Sequence, residues 1–367
     1  MPDVLIFADT IRSPELRHEV PVAVPDPLLY VERNGSRFAF VGSLEVPRMQ
    51  GLDGLQPVPL EELGVDELIA QGLRSDELDR EIALRACQRV GLEGAATPRW
   101  FPLGIADHLR ANGIELEVHG DLFDGRRRVK TETELAGIRR AQAAAEAAMD
   151  AIRARLRKGS VTCEELRTEA MRVFSEAGAI VPDIVIISHG AQTAVGHEPG
   201  HGEIREGEPI VVDLYPQDPE SGCYTDMTRT FCVGDPPDEL VRIHGLVREA
   251  LDLAYEAIRP GVIGREAHRV VCEFFQKHGF PTQLTKSPRE VLEEGFFHSL
   301  GHGVGLEVHE QPGLGRTGVE IVEGDVLAVE PGLYRQGFGG CRLEDTVLVT
   351  EDGIELLGSG YSYELAA

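Results

Sequence analysis

The stretch Phe297–Gln311, FHSLGHGVGLEVHEQ, holds three histidines: His298, His302 and His309. Glycines at 301, 303 and 305 surround His302. Glycine lets the backbone bend and approach a neighbour closely, at an entropic cost to folding. A histidine flanked this way reads as a ligand held in a tight bend rather than a core-packing residue. Histidines also sit in satisfied cores, and GxGxG runs occur in plain loops, so the acids on either side decide the reading.

Those acids come in two pairs. Upstream, PIVVDLYP carries Asp213 and CYTDMTRTFCV carries Asp226; downstream, VLAVEPGLY carries Glu330 and CRLEDTVLVT carries Glu344. The members are 13 and 14 residues apart, on β-rich runs of the kind that form neighbouring strands. Similar spacing in two places suggests two similar half-domains, with His302 between them in sequence. Four carboxylates and one imidazole would repel one another and lose hydration if buried without cations. Two divalent ions resolve that. A carboxylate-dominated set with one histidine suits Mn, Co, Fe or Zn better than a thiolate zinc site does. Carboxylates can also bridge metals about 3.5–4 Å apart, as in two-metal hydrolases.

With its local contexts DMTRTF, GHGVGLEVHE, VEPGLY and RLEDT, the set resembles the pita-bread metallopeptidase family, which includes methionine aminopeptidase, aminopeptidase P, prolidase and creatinase. The resemblance covers the chain from about Thr131 onward. It implies Asp213 on one metal, Asp226 and Glu344 bridging, and His302 and Glu330 on the other. It also implies an α+β catalytic domain of two pseudo-symmetric halves, a homodimer, and two divalent ions, Mn first, with Co, Zn and Fe as alternatives. Within the family, Glu330 suits proton handling by a metal-bridging hydroxide. His309 matches a histidine that stabilises the oxyanion or leaving amide, and His298 a histidine beside the metals or substrate. His197 matches a substrate-contacting histidine, with His201 as competitor, and Arg342 an arginine that orients the ligand carboxylates.

Composition sets outer bounds. A chain of 367 residues is long enough for two domains. A net charge of −26 argues against nucleic acid and anionic membranes as partners, and reads most simply as solubility. The six cysteines form no CxxC, which fits reduced thiols in a cytoplasmic protein. The N-terminus lacks the basic region of a signal peptide, and no run reaches the roughly 18 apolar residues of a membrane span.

Residues 1–125 read as a smaller α/β domain, of the creatinase type that the family places before the catalytic domain, here 126–367. VLIFAD, LLYVER, FAFVGS and IELEVHG read as strands, with Asn34-Gly35 as a hairpin turn. Helices are expected near 61–71, 75–90 and 102–112. His18, His108 and His119 are isolated and read as surface or hydrogen-bonded residues. The basic run Arg126–Lys130 reads as a solvated hinge, with a docking patch for the acidic body as the alternative. Thr131 and Glu134 form a capping box opening a helix to about Arg157, and a second helix runs to Gly178. Beyond DIVIIS, a loop holds His189, His197 and His201. The stretch QPGLGRTGVEIVEGDV reads as a glycine-rich rim loop.

Where many relatives have D-x-G, this chain has Asp213-Leu214-Tyr215-Pro216, a change that would narrow the pocket. The two-domain layout resembles enzymes that cleave before proline, either Xaa-Pro aminopeptidases or Xaa-Pro dipeptidases. Creatinase-like C–N hydrolysis and a non-catalytic binding protein of the same fold are the alternatives. Complete retention of the five ligands argues against both.

Overall fold

The structure, a computed structural model, describes residues 2–367. The chain divides into two compact units, Met1–Arg127 and Arg128–Ala367.

The first unit is built on one six-stranded mixed sheet. Its strand β1 (Val4–Ala8) precedes α1 (Pro14–Glu19), whose first turn is capped by the Ser13 hydroxyl. Strands β2 (Leu28–Arg33) and β3 (Ser36–Val41) form the expected hairpin. Asn34 and Gly35 both take positive φ there, as a type I′ turn demands. After α2 (Val46–Met49) come β4 (Leu55–Pro59), α3 (Val65–Ala70), α4 (Asp76–Val90), β5 (Gly94–Thr97), α5 (Leu103–Ala111) and β6 (Glu115–Val118). The order across the sheet is β4-β3-β2-β1-β5-β6. Leu5, Leu29, Val31 and Phe40 pack on Ile82, Ala86 and Leu109 on one face. Their strand neighbours Val4, Ile6, Leu28 and Tyr30 pack with Leu16 and Phe123 on the other. Alternation along each strand thus feeds two cores, giving a three-layer α/β unit.

Two strands escape a reading by pattern. β4 carries Pro57 and Pro59, tolerated because it lies at the sheet edge. β5, Gly-Ala-Ala-Thr, lacks the bulky residues that mark strands. The basic run is also not a solvated hinge. Helix α6 (Gly120–Arg128) continues into it. Arg126 lies 2.8 Å from Glu19 and 2.7 Å from Glu32, within the first unit. Arg128 lies 2.6 Å from the fully buried Asp325, and Lys130 pairs with Glu310, both within the second. The run is basic because each cation has a buried or half-buried acid to meet.

The second unit repeats one plan. Helices α7 (Glu132–Leu156) and α8 (Cys163–Glu176) both open on complete capping boxes, Thr131 with Glu134 and Thr162 with Glu165. They cover the antiparallel sheet β7 (Ile186–His189), β8 (Pro209–Leu214) and β9 (Met227–Cys232). Ala148, Ile152, Leu166 and Phe174 pack there on Ile187, Ile210, Val212 and Phe231. Helices α9 (Asp238–Ala257) and α10 (Gly264–Lys277) then precede the second set of strands. These are β10 (Glu294–Gly295), β11 (Gly301–Gly303), β12 (Glu310–Leu314), β13 (Val326–Val329), β14 (Gly332–Arg335), β15 (Gly339–Arg342), β16 (Asp345–Thr350) and β17 (Gly353–Leu356). The main sheet runs β12-β11-β13-β16-β17, and β10-β14-β15 form a smaller one. Val247, Val271 and Phe275 pack on Leu327, Val329 and Val347. The expected rim loop begins as β12, an edge strand whose Pro312 and Gly313 disguise it in sequence. No helix among the described residues is long and apolar enough to cross a membrane. All six cysteines are buried and free.

Candidate metal centre

The acids converge because each stands at or just beyond the end of a strand. Ile210, Val212 and Leu214 of β8 face the helices, so Asp213 faces away from them. Leu214 pairs with Met227, which puts Asp226 one step beyond the start of β9. Val329 pairs with Asp345, so Glu330 and Glu344 flank the same ladder in the other half, again one step out. His302 lies on β11, opposite Ala328. Its glycines serve a purpose other than a bend. A Cβ at Gly301 would stand 1.9 Å from the Ala328 carbonyl oxygen, and one at Gly303 2.4 Å from that of Gln311. Glycine lets β11 thread between two neighbours while only His302 projects a side chain.

His302 Nε2 lies 3.8 Å from Asp226 Oδ2 and 3.9 Å from Glu330 Oε1. Candidate ligand atoms of Asp226, His302 and Glu344 all fall within 4.8 Å of one another. Arg342 ties in the fifth residue: its Nη2 is 2.6 Å from Asp213 Oδ2, and its Nε is 4.0 Å from Glu330. His302 Nδ1 is 3.1 Å from the Gly303 carbonyl oxygen, which fixes the tautomer with a proton on Nδ1 and leaves the Nε2 lone pair facing the acids. Thr228 donates to Glu344 Oε2 at 2.5 Å and accepts from Arg342 Nε at 3.2 Å.

The electrostatics describe a site short of positive charge. Burial pushes Glu330 up to about 8, with Arg342 opposing the shift. Burial and then the neighbouring carboxylates hold Asp226 and Glu344 well above the usual carboxylate range. Burial pushes His302 down to about 4, helped by His309, so its imidazole is neutral. Asp213 Oδ1 and Asp226 Oδ1 are buried with no hydrogen-bond partner. Buried carboxylate oxygens without donors, beside a neutral imidazole, fit a divalent cation and little else.

The other candidates fall into place around this cluster. The His309 ring packs edge-to-face on His302, centroids 4.3 Å apart, and its side chain reaches solvent. His298 is engaged at both nitrogens, Nδ1 2.7 Å from the Ser299 carbonyl and Nε2 2.9 Å from the Tyr334 hydroxyl. Burial, with Arg342 next, lowers it to about 3. His197 is exposed on its loop, close enough for its charge to bear on His298 and His309. His201 turns its side chain outward toward Glu198 and contributes only backbone groups, its carbonyl to His189 and Gln192 and its N–H to Gln192. Three residues escape the motif reading: Tyr334, Thr228 and Thr346. A signal for the threonines does exist. Asp226-Met-Thr228 and Glu344-Asp-Thr346 share one pattern, a threonine two residues after an acid.

A buried acid–imidazole cluster at the strand ends of two related halves, on a pita-bread fold, is a candidate metal centre. Residues 136–351 match Metallopeptidase family M24, and the chain belongs to that family. It is 34% identical over 270 residues to a protein named probable dipeptidase PepE from Mycobacterium tuberculosis, covering 70% of this chain. That match spans 64% of the relative, just under two thirds of its length. It is 32% identical over 281 residues to the Xaa-Pro dipeptidase of Pyrococcus furiosus, covering 75% of this chain and 74% of the relative. The fold of the whole chain resembles the solved prolidase from Pyrococcus furiosus, with a TM-score of 0.78, 23% identity, and coverage of 99% and 97% of the two chains.

Proposed function

We propose that this metallopeptidase hydrolyses the bond before proline, acting as an Xaa-Pro dipeptidase. The carrying observation is the pair of orphaned oxygens on Asp213 and Asp226, set close to His302, Glu330 and Glu344. The relative named Xaa-Pro dipeptidase supports the substrate class.

Asp213, Asp226, His302, Glu330 and Glu344 would hold two divalent cations, Mn first, with Co, Zn or Fe as alternatives. Bound there, such ions supply Lewis acidity and an activated water at neutral pH. The chain's own residues do the rest. Glu330, 3.9 Å from His302 Nε2, would take the proton that the attacking water gives up and return it to the departing amine. His309, kept neutral, donates an N–H to the oxyanion as it develops. Tyr334 and the Ser299 carbonyl fix the His298 ring beside Glu330, 3.8 Å away. His197 meets the substrate from its loop. Arg342, 2.6 Å from Asp213 and 4.0 Å from Glu330, holds the two carboxyl groups in place. The domain limits 1–125 and 126–367, a homodimer and a cytoplasmic setting belong to the same proposal.

The deciding assay offers metal-loaded protein an Xaa-Pro dipeptide, an Xaa-Pro-Yaa tripeptide and creatine. Turnover of the dipeptide alone is expected. Turnover of the tripeptide alone makes it an Xaa-Pro aminopeptidase, and turnover of creatine a C–N hydrolase. Metal binding without any turnover makes it a binding protein.

A further inference from the structure

Arg229 is the largest of the fully buried side chains, and the metal centre described above does not use it. All five of its guanidinium N–H groups are engaged. Nε donates to the Ser362 carbonyl at 3.1 Å. Nη1 donates to the Thr228 carbonyl at 2.9 Å and the Glu344 carbonyl at 2.7 Å. Nη2 donates to Asp345 Oδ1 at 2.7 Å and the Tyr361 carbonyl at 3.1 Å. The guanidinium carbon lies 4.4 Å from the Tyr363 ring centre and 5.6 Å from that of Tyr361. A planar fork with every donor used has one orientation available to it.

The acid that balances this charge is itself pinned. Asp345 Oδ2 accepts from the Tyr363 hydroxyl at 2.6 Å and the Tyr255 hydroxyl at 2.7 Å. Tyr255 lies on α9, whereas Tyr361 and Tyr363 belong to a segment, 361–367, that is tied along the second unit. Tyr361 donates to Asp150 at 2.8 Å, and Cys232 N–H donates to the Leu365 carbonyl at 2.7 Å. Glu344 is thereby gripped at its backbone: its carbonyl takes Arg229, and its N–H donates to the Thr228 carbonyl at 3.0 Å.

We propose that Arg229 and Tyr363 are positioning residues, a clamp that fixes the backbone of Glu344 from behind so that its carboxylate is presented to the cation. The clamp acts through Glu344 and touches neither cation nor substrate. It rests on the reading of Glu344 as a metal ligand. Outer residues that orient a ligand typically change metal affinity 10–100-fold when altered.

The experiment titrates Mn²⁺ into metal-stripped full-length protein by calorimetry, well below the melting midpoint of each variant, and reads the Kd. Arg229→Lys should weaken binding roughly 10–100-fold, because one ammonium cannot replace five donors. Tyr363→Phe keeps the ring and removes the hydroxyl held by Asp345. It should weaken binding less, by about tenfold at most, and it decides the matter if Arg229→Lys does not fold. A folded Tyr363→Phe or Arg229→Lys protein with the wild-type Kd, whatever its melting temperature, makes the network purely structural and overturns the clamp. Wild-type protein that takes up no Mn²⁺ would instead bring down the metal reading, and the clamp with it.

Discussion

Asp226 and Glu344 stand at equivalent places in the two halves, each followed two residues on by a threonine that crosses to the other half. The device is shared, and its use differs. Thr228 grips the carboxylate of Glu344, while Thr346 grips only the backbone of Asp226, accepting from its N–H at 3.0 Å and donating to its carbonyl at 2.8 Å. The residue after each threonine differs too: Arg229 in the first half, and the core residue Val347 in the second. Glu344 is thus aimed by the protein before any cation arrives. The Asp226 carboxylate has no hydrogen bond among the described residues, and its Oδ1 is buried without a partner. One half offers a carboxylate already held by a hydrogen bond and the other a carboxylate with none.

The sharpest way to break this contrast is to neutralise each acid in turn. Asp226→Asn and Glu344→Gln should each weaken Mn²⁺ binding beyond the 10–100-fold typical of outer residues and abolish turnover. They should part company in metal-free protein. Asp226→Asn removes an unsatisfied carboxyl and should leave the melting temperature unchanged or higher. Glu344→Gln disturbs the Thr228 hydrogen bond and should lower it. Equal shifts in the two variants would erase the distinction between the halves.

Arg342 tests the bond between the halves, since it carries the charge opposite Asp213. Arg342→Met leaves a buried carboxylate unpaired and should cost about 3–5 kcal/mol in chemical denaturation. Adding Asp213→Asn should recover part of that loss, and purely additive losses would argue against a coupled pair. His309→Ala should leave metal content and stability intact while lowering kcat roughly 10²–10³-fold. Loss of metal equal to that of His302→Ala would make His309 a ligand.

The last effect is the response to pH. Glu330 titrates at about 8 in the folded chain, above its unfolded value, and Asp226 and Glu344 are also raised. The folded state therefore binds more protons than the unfolded chain as pH rises toward 8. His298 and His302 are lowered to about 3 and 4, and their contribution is complete above about pH 6.5. Metal-free protein should lose stability between about pH 6.5 and 8, by up to about 1.4 kcal/mol per pH unit for each proton held. Saturating Mn²⁺ should abolish that slope, read as melting temperature against pH, and a metal-free slope of the opposite sign would refute the assignment.

Much of this centre could be read from residues in order, because five side chains at strand ends carry local contexts that survive in sequence. The doubled acid-x-Thr pattern was there as well, though only the crossing of hydroxyls between halves gives it meaning. What stayed hidden depends on partners far along the chain. Arg229 meets residues 344, 345, 361 and 362, and no spacing announces that. The glycines around His302 suggested a bend, whereas they admit a strand between two others. β12 and β4 were obscured by prolines that only their edge positions excuse.

The basic run offers a last lesson, for protease mapping. Arg126, Arg127, Arg128 and Lys130 make four potential trypsin sites within five residues, a sequence that invites a cut. Yet the helix persists to Arg128, and Arg126, Arg128 and Lys130 are each held by an acid of the unit to which they belong. Trypsin must wait for that turn to unwind and its ion pairs to part. The rate of nicking here would then time a local opening event, and would not mark a joint that is permanently bare.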